Sequence, residues 1–283
     1  MSETTSQQRP AALIIEAGRT ERHYWRDLWR YRELLGFLAW RDVKVRYKQA
    51  VLGVAWAVVQ PTIQTFLLTF VFHKLARMPS GNISDSQYPL LVLAGLLPWQ
   101  LFSGAFSGAG NSLVSNSHLI SKVYFPRLIV PLSAVVVAFI DMLVLLVIAL
   151  PYAMYEGIFP TWRMLLLPVF ILGTMIVALG AGLWITSLTV KYRDFRFISA
   201  FLLQIGIFVT PVGFSTDFLP NWRDWLALNP LTSMVEGFRW CLLGGHTEFY
   251  ERGLFLSLAV TAIMLLTGLW YFRITERRFA DVI

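Results

Sequence analysis

Charge-free stretches recur along the chain. No Asp, Glu, Lys or Arg occurs in residues 49–72, 86–121, 128–140, 142–155, 164–190, 197–216 or 253–272. A helix crosses a bilayer core with roughly 20 apolar residues. The third and fourth stretches form one span interrupted by Asp141. The pattern therefore predicts six transmembrane helices, at 51–73, 89–110, 131–152, 164–187, 197–215 and 253–272. An even number returns both termini to one side. The expected fold class is an all-α integral membrane protein.

The basic residues choose that side. Of the 24 Lys and Arg, 18 fall in residues 1–50, 111–130, 188–196 and 273–283. The positive-inside rule then makes both termini cytoplasmic. The first span is preceded by a dense basic stretch, WRDVKVRYKQAVLGVAWAVVQP over residues 40–61. At helical spacing Trp40, Val43, Tyr47 and Val51 form an apolar seam, and Arg41, Lys44 and Lys48 a basic one. Upstream, Trp25, Leu28, Leu35 and Leu38 continue the apolar stripe, while Arg22, Arg26 and Arg30 lie four apart. This predicts an interfacial helix over 27–49, lying on the cytoplasmic leaflet with Trp and Arg at headgroup depth. Its simplest role is to anchor the topology. Residues 1–26, beginning MSETTSQQRP, read as a flexible cytoplasmic tail.

Two connecting segments are too apolar for solvated loops. Residues 210–245, TPVGFSTDFLPNWRDWLALNPLTSMVEGFRWCLLGG, break short apolar runs at Pro220, Asn229-Pro230 and Gly237. They predict short re-entrant helices on the outer side, within 216–250. There Glu236 and Arg239 either pair with each other or line an exit. Residues 111–131, NSLVSNSHLISKVYFPRLIVP, predict a short cytoplasmic helix that presents Leu113, Ser117 and Ile120 before Pro126 stops it. Such a helix receives force from another protein or simply lies on the membrane.

Polar residues inside the spans are few. A carboxylate at membrane depth costs about 2.5 to 3.5 kcal/mol on insertion scales, so Asp141 should face protein or water. It is either a proton or cation site or a carboxyl bonded to a neighbouring helix. The second reading is favoured, since no other acid and no Lys or Arg is expected at its depth. Gln60-Pro61 and Gln64 interrupt the first span, where proline predicts a kink. Gly104 and Gly108 have the GxxxG spacing of closely packed membrane helices, within the subunit or across a dimer. Trp56, Phe66, Phe70, Phe72, Trp99, Phe102, Phe106 and Phe208 scatter aromatic faces suited to lipid, to core or to a sugar-conducting path.

Composition agrees with this picture. The 283 residues are 56% hydrophobic and 14% charged, against about 25% charged in soluble domains. Mean hydropathy is +0.58. The net charge of +7 sits beside apolar spans, which points to an anionic membrane surface rather than nucleic acid. One cysteine, Cys241, excludes an internal disulfide, and no cleavable signal peptide is visible. There is no GxxxxGK[ST] loop, no HExxH and no Ser/His/Asp set at one depth. If ATP powers transport, another chain binds it. A glycan acyltransferase using His118 or Asp141, or a structural scaffold, would leave the apolar 217–245 segment unexplained.

Six patches together carry a family resemblance. They are residues 40–61, LLPWQLF (96–102), NSLVSNSHLISKVYFPRLIVPL (111–132), ALGAGLWITSLTVKYRDFRF (178–197), TPVGF (210–214) and LNPLTSMVEGFRW (228–240). In unchanged order they resemble the membrane subunit of ABC-2 type polysaccharide exporters, nearest the O-antigen and cell-surface glycan permeases of Gram-negative bacteria. The resemblance implies a single transmembrane domain over 27–283, two copies of the chain and two ATP-binding subunits in the inner membrane. It implies a cargo of polyprenyl-pyrophosphate-linked glycan moving between the two copies, with another anionic polymer (capsule or teichoic-acid-like) as the alternative. The chain itself would hold no cofactor, since ATP and magnesium would sit on the partner. Trp40, Arg41, Lys44, Arg46, Tyr47 and Lys48 would form the gate and face the pyrophosphate. Asn116, His118, Leu119, Ile120, Lys122 and Tyr124 would couple to the ATPase. Tyr192, Arg193 and Asp194 would form the inner turn, with Arg193 and Asp194 paired to each other or to the gate. Trp56, Gln60, Phe66, Phe208, Phe214, Glu236 and Arg239 would lie along the path. Two positions depart from the family pattern: Gly206 stands where an aromatic is frequent, and Gly213-Phe214 where Ile-Tyr is common.

Overall fold

The computed structural model describes residues 24–48, 53–79, 83–244, 247 and 249–276. All regular structure among them is helical. In chain order the helices are α1 (Tyr24–Arg30), α2 (Arg32–Lys48), α3 (Gly53–Thr69), α4 (Tyr88–Ser115), α5 (Ser117–Lys122), α6 (Ile129–Tyr155), α7 (Leu167–Lys191), α8 (Phe195–Val209), α9 (Arg223–Ala227), α10 (Pro230–Leu242) and α11 (Glu251–Glu276). The tail expected over 1–26 lies outside the described residues up to residue 23, as does Val51 of the apolar seam.

Among the described residues, five segments are long and apolar enough to cross a membrane: Ala55–Leu75, Asp85–Ser115, Ile129–Tyr155, Trp162–Lys191 and Glu251–Glu276. The sixth expected span differs. Its helix, α8, has 15 residues and rises about 22 Å, short of a core about 30 Å thick. Thr210 ends it by turning into extended backbone, and residues 210–214 continue without helix.

The centre of the bundle is α4, packed between α6 and α7. A side chain at Gly104 or Gly108 would place its Cβ 3.2 Å and 3.1 Å from the Cβ atoms of Ala138 and Ala134 on α6. The GxxxG spacing thus serves close packing inside the subunit. On α7, a Cβ at Gly180 would stand 3.0 Å from the backbone nitrogen of Leu265, so α11 lies directly on that helix. α3 is not interrupted at Pro61. The Thr65 hydroxyl donates to the Pro61 carbonyl at 2.8 Å, and the helix continues into a π turn over Phe70–Leu75.

The first and last described residues, Tyr24 and Glu276, meet at one end of the bundle. The Tyr24 hydroxyl donates to Glu276 at 3.1 Å, and the Arg127 backbone nitrogen donates to the same carboxylate at 3.1 Å. The Arg273 guanidinium stands 4.3 Å over the Tyr24 ring. Burial above all, and Glu276 after it, keeps the Tyr24 phenol well above the usual tyrosine range, so it stays a donor.

The opposite end is closed by residues 216–244. Their main element is α10, begun by an Asn229 cap that accepts from the Leu231 nitrogen at 3.1 Å and by Pro230 at the first helical position. At 13 residues it rises about 20 Å and cannot cross a bilayer. Nearly every residue of it is buried, among α4, α7 and α11.

Candidate functional site

The basic stretch folds as α2, and its apolar side is spent on α6. Leu38 joins Leu113, Ile129 and Phe272. Ala39, Val43 and Tyr47 pack on Val136, Val137 and Ile140. The expected seam therefore holds at Val43 and Tyr47 and fails at Trp40, which is 58% exposed with the Lys44 ammonium 5.4 Å above its ring. The buried side of α2 faces a helix and not a leaflet, because small Ala39 and Val43 let it lie against the β-branched surface of α6. Lys44 and Lys48 point outward from the opposite face.

Two polar contacts fix this helix. Arg41 donates to Asn116 Oδ1 at 2.7 Å and to Asp42 Oδ1 at 2.7 Å and 2.9 Å. α2 is thereby bonded to the junction between α4 and α5. At its last turn, Arg46 pairs with Asp141, and the Tyr47 hydroxyl donates to Asp141 Oδ1 at 2.6 Å. The sequence suggested that no cation reaches the depth of Asp141. That is corrected here: α2 runs alongside α6 and brings Arg46 to it. The favoured reading of Asp141, a carboxyl bonded to a neighbouring helix, agrees with these contacts. Burial, and then the bond to Asp141, raises the Tyr47 phenol far above its ordinary value, so it remains a donor.

The expected coupling segment is the six-residue α5, broken from α4 at Asn116 and followed by extended Val123. Its faces are the reverse of the sequence expectation. Leu113 is fully buried, and Leu119 and Ile120 pack into the same cluster. His118, Lys122 and Tyr124 are the exposed ones. Apolar side chains turn inward here because the cluster beneath, with Phe125, Leu128 and Phe272, is within reach. Through Arg127 the segment also joins the Glu276 junction, which nothing in the sequence pattern singled out.

Tyr192, Arg193 and Asp194 form the exposed turn between α7 and α8, with the Lys191 ammonium 4.8 Å over the Tyr192 ring. Arg193 and Asp194 do not pair with each other; Asp194 uses its backbone carbonyl to start α8.

The residues expected along the path separate into two groups. Trp56, Gln60 and Phe66 on α3 and Phe208 on α8 are exposed, and both helices leave most of their surface uncovered. Beside them Gln100 donates to Gln64 at 2.7 Å, an amide pair the sequence did not suggest. Phe214, Glu236 and Arg239 belong instead to the sealed end of the bundle. Arg239 is 2% exposed and donates to the carbonyls of Leu91 (3.1 Å), Phe214 (2.8 Å) and Val212 (2.7 Å). Glu236, 6% exposed, accepts from the Thr216 hydroxyl. Neither of the alternatives drawn from sequence holds within this chain, since the two side chains have different partners and both are enclosed.

The described residues thus form an all-helical bundle with five membrane-length apolar helices, a basic helix bonded to a short break helix, and a buried helix capping the far end. Residues 33–243 match the family profile described as ABC-2 type transporter, and the chain belongs to that family. Relatives agree along nearly the whole length. The chain is 28% identical over 254 residues to the "O-antigen export system permease protein RfbA" of Klebsiella pneumoniae, covering 89% of this chain and 95% of that one. It is 29% identical over 249 residues to the protein of the same name in Myxococcus xanthus, covering 85% and 91%. To the "Polysialic acid transport protein KpsM" of Escherichia coli it is 23% identical over 247 residues, covering 83% and 91%.

Proposed function

We propose that the chain is the permease subunit of an ABC exporter that moves a polyprenyl-pyrophosphate-linked, O-antigen-like polysaccharide from cytoplasm to periplasm. The likeness to O-antigen export permeases over nearly the full length carries this reading. Two copies form the path, and two separate ATP-binding subunits with their magnesium supply the energy. The complex sits in the bacterial inner membrane with both termini cytoplasmic. α8 with residues 210–214 makes the sixth crossing and 216–250 re-enters from the outer side; the meeting of Tyr24 with Glu276 favours an even number. The exposed faces of α3 and α8 bear the aromatic and amide groups that line the path, and His118, Lys122 and Tyr124 meet the ATPase.

A second reading, export of a capsular anionic polymer, draws on the likeness to the polysialic acid transport protein. An acyltransferase is disfavoured, because Asp141 is bonded to Arg46 and Tyr47 on α2 whereas His118 sits on α5.

Purifying the tagged chain in mild detergent tests the reading. A stoichiometric partner carrying a phosphate-binding loop and hydrolysing ATP is the expected result; a stable chain that purifies alone would overturn it. The gate role has its own test. Lys44 and Lys48 face outward, so Lys44→Glu with Lys48→Glu leaves assembly intact. Each basic residue near an anionic group contributes about 1 kcal/mol, so the double reversal is expected to lower export about tenfold or more. Normal surface glycan in that strain would remove these lysines from the gate.

A further inference from the structure

Asp141 has no task in the export reading, yet it is engaged. It lies halfway along α6, and both of its side-chain partners come from the last turn of α2. Upstream of that turn α2 is held by Leu38 in the cluster with Ile129 and Phe272, by Arg41 on Asn116, and on α6 by the small Ala39 and Val43. Beyond Val43 the contacts that seat this end of α2 are the packing of Tyr47 on α6 and the polar contacts of Arg46 and Tyr47 with Asp141.

The pair is also open on one side. The Arg46 side chain is 53% exposed and that of Asp141 25%. A half-exposed guanidinium still has donors to offer an approaching anion, and its planar fork suits phosphate oxygens at least as well as a carboxylate. Lys44 and Lys48, outward on the same helix, would draw such an anion to this turn.

We propose that Asp141 is a positioning residue that latches the end of α2 to α6 through Arg46 and Tyr47, and that a lipid pyrophosphate releases the latch by taking Arg46. This rests on the export reading, in which the cargo carries that group. Asp141 thereby makes unseating of the gate helix depend on cargo.

The test uses the complex with its ATP-binding subunit in lipid nanodiscs. Val43→Cys and Val137→Cys report seating by forming a disulfide across the α2–α6 contact; the native Cys241 is buried and gives no background. Farnesyl pyrophosphate is the probe and farnesol its uncharged control. The latch predicts that crosslinking slows about tenfold with farnesyl pyrophosphate and not with farnesol, as expected when a ligand selects the unseated state. Asp141→Asn should crosslink slowly without lipid, and Asp141→Glu should restore the wild-type rate. Unchanged crosslinking while farnesyl pyrophosphate still stimulates ATP hydrolysis overturns the latch and leaves the export reading standing. If the lipid alters neither, both fall. Equal slowing by farnesol would also overturn it, because the charge would then be irrelevant. The measurement in the background that keeps Asp141 decides the matter even if Asp141→Asn fails to assemble.

Discussion

Arg239→Leu is expected to abolish recovery of folded protein. The guanidinium is enclosed and joins three carbonyls from two parts of the chain: Leu91 on α4, and Val212 and Phe214 after α8. The Leu91 carbonyl also belongs to the α4 helix, whereas those of Val212 and Phe214 lie outside any helix and depend on the guanidinium. Each buried carbonyl left unpaired costs about 1–3 kcal/mol. Two together, at about 2–6 kcal/mol, are a large share of the whole stability of a typical domain, about 5–15 kcal/mol. Arg239→Lys keeps the charge, but a compact ammonium lacks the fork that reaches all three, so it should be intermediate. Gly95 belongs to the same arrangement, since a Cβ there would stand 3.0 Å from Arg239 Nη2. The measurement is the yield of monodisperse protein in detergent, followed by thermal unfolding. A path-lining arginine would behave differently: its leucine variant would fold normally and export poorly, and that result would return Arg239 to the path.

What the sequence conveyed follows from which forces leave a one-dimensional trace. Membrane insertion depends on runs of apolar residues, so the long spans could be read from the absence of charge between, for example, residues 164 and 190. The short α8 could not be told from a span by composition, because residues 210–214 are equally uncharged and only their backbone leaves the helix. The break expected at Asn229-Pro230 coincides with the start of α10, whereas Gly237 lies inside that helix and α5 ends at Lys122, four residues before Pro126. Partner choice left no such trace. Glu236 and Arg239, three apart on one helix, suggested an ion pair, but the fold offered Arg239 carbonyls separated from it by 148, 27 and 25 residues. Asp141 looked out of reach of any cation because α2 was read as a surface helix. Its amphipathic pattern is equally satisfied by α6, and periodicity does not distinguish the two. The inward turn of Leu113 and Ile120 has the same origin, since a pattern marks a face as apolar without naming what it meets.

The two departures from the family pattern were legible as departures but not as compensation, and their reciprocal exchange is the second large expected effect. A Cβ at Gly206 would stand 2.8 Å from the far edge of the Trp99 indole, so that ring occupies the space an aromatic at 206 would need. At Gly213 the ring of Phe72 does the same. Trp99 is buried and anchors a row with Phe102 and Phe106, at ring separations of 5.9 Å and 5.6 Å. Gly206→Phe is therefore expected to destabilise by about 1–3 kcal/mol, the range for overpacked cores. Trp99→Ala, which empties the site, should cost about 3–5 kcal/mol. Combined, they exchange which helix supplies the ring, and the double variant should regain about 1–3 kcal/mol relative to the sum of the singles. Thermal unfolding of all four proteins in one detergent measures that coupling. Additive losses would mean that α8 swings away from α4 when Gly206 is enlarged, and Trp99 would then not be the reason this chain tolerates a glycine there. The exposed remainder of α8, where Ser199 is the one buried side chain in the helix, gives that alternative room to occur.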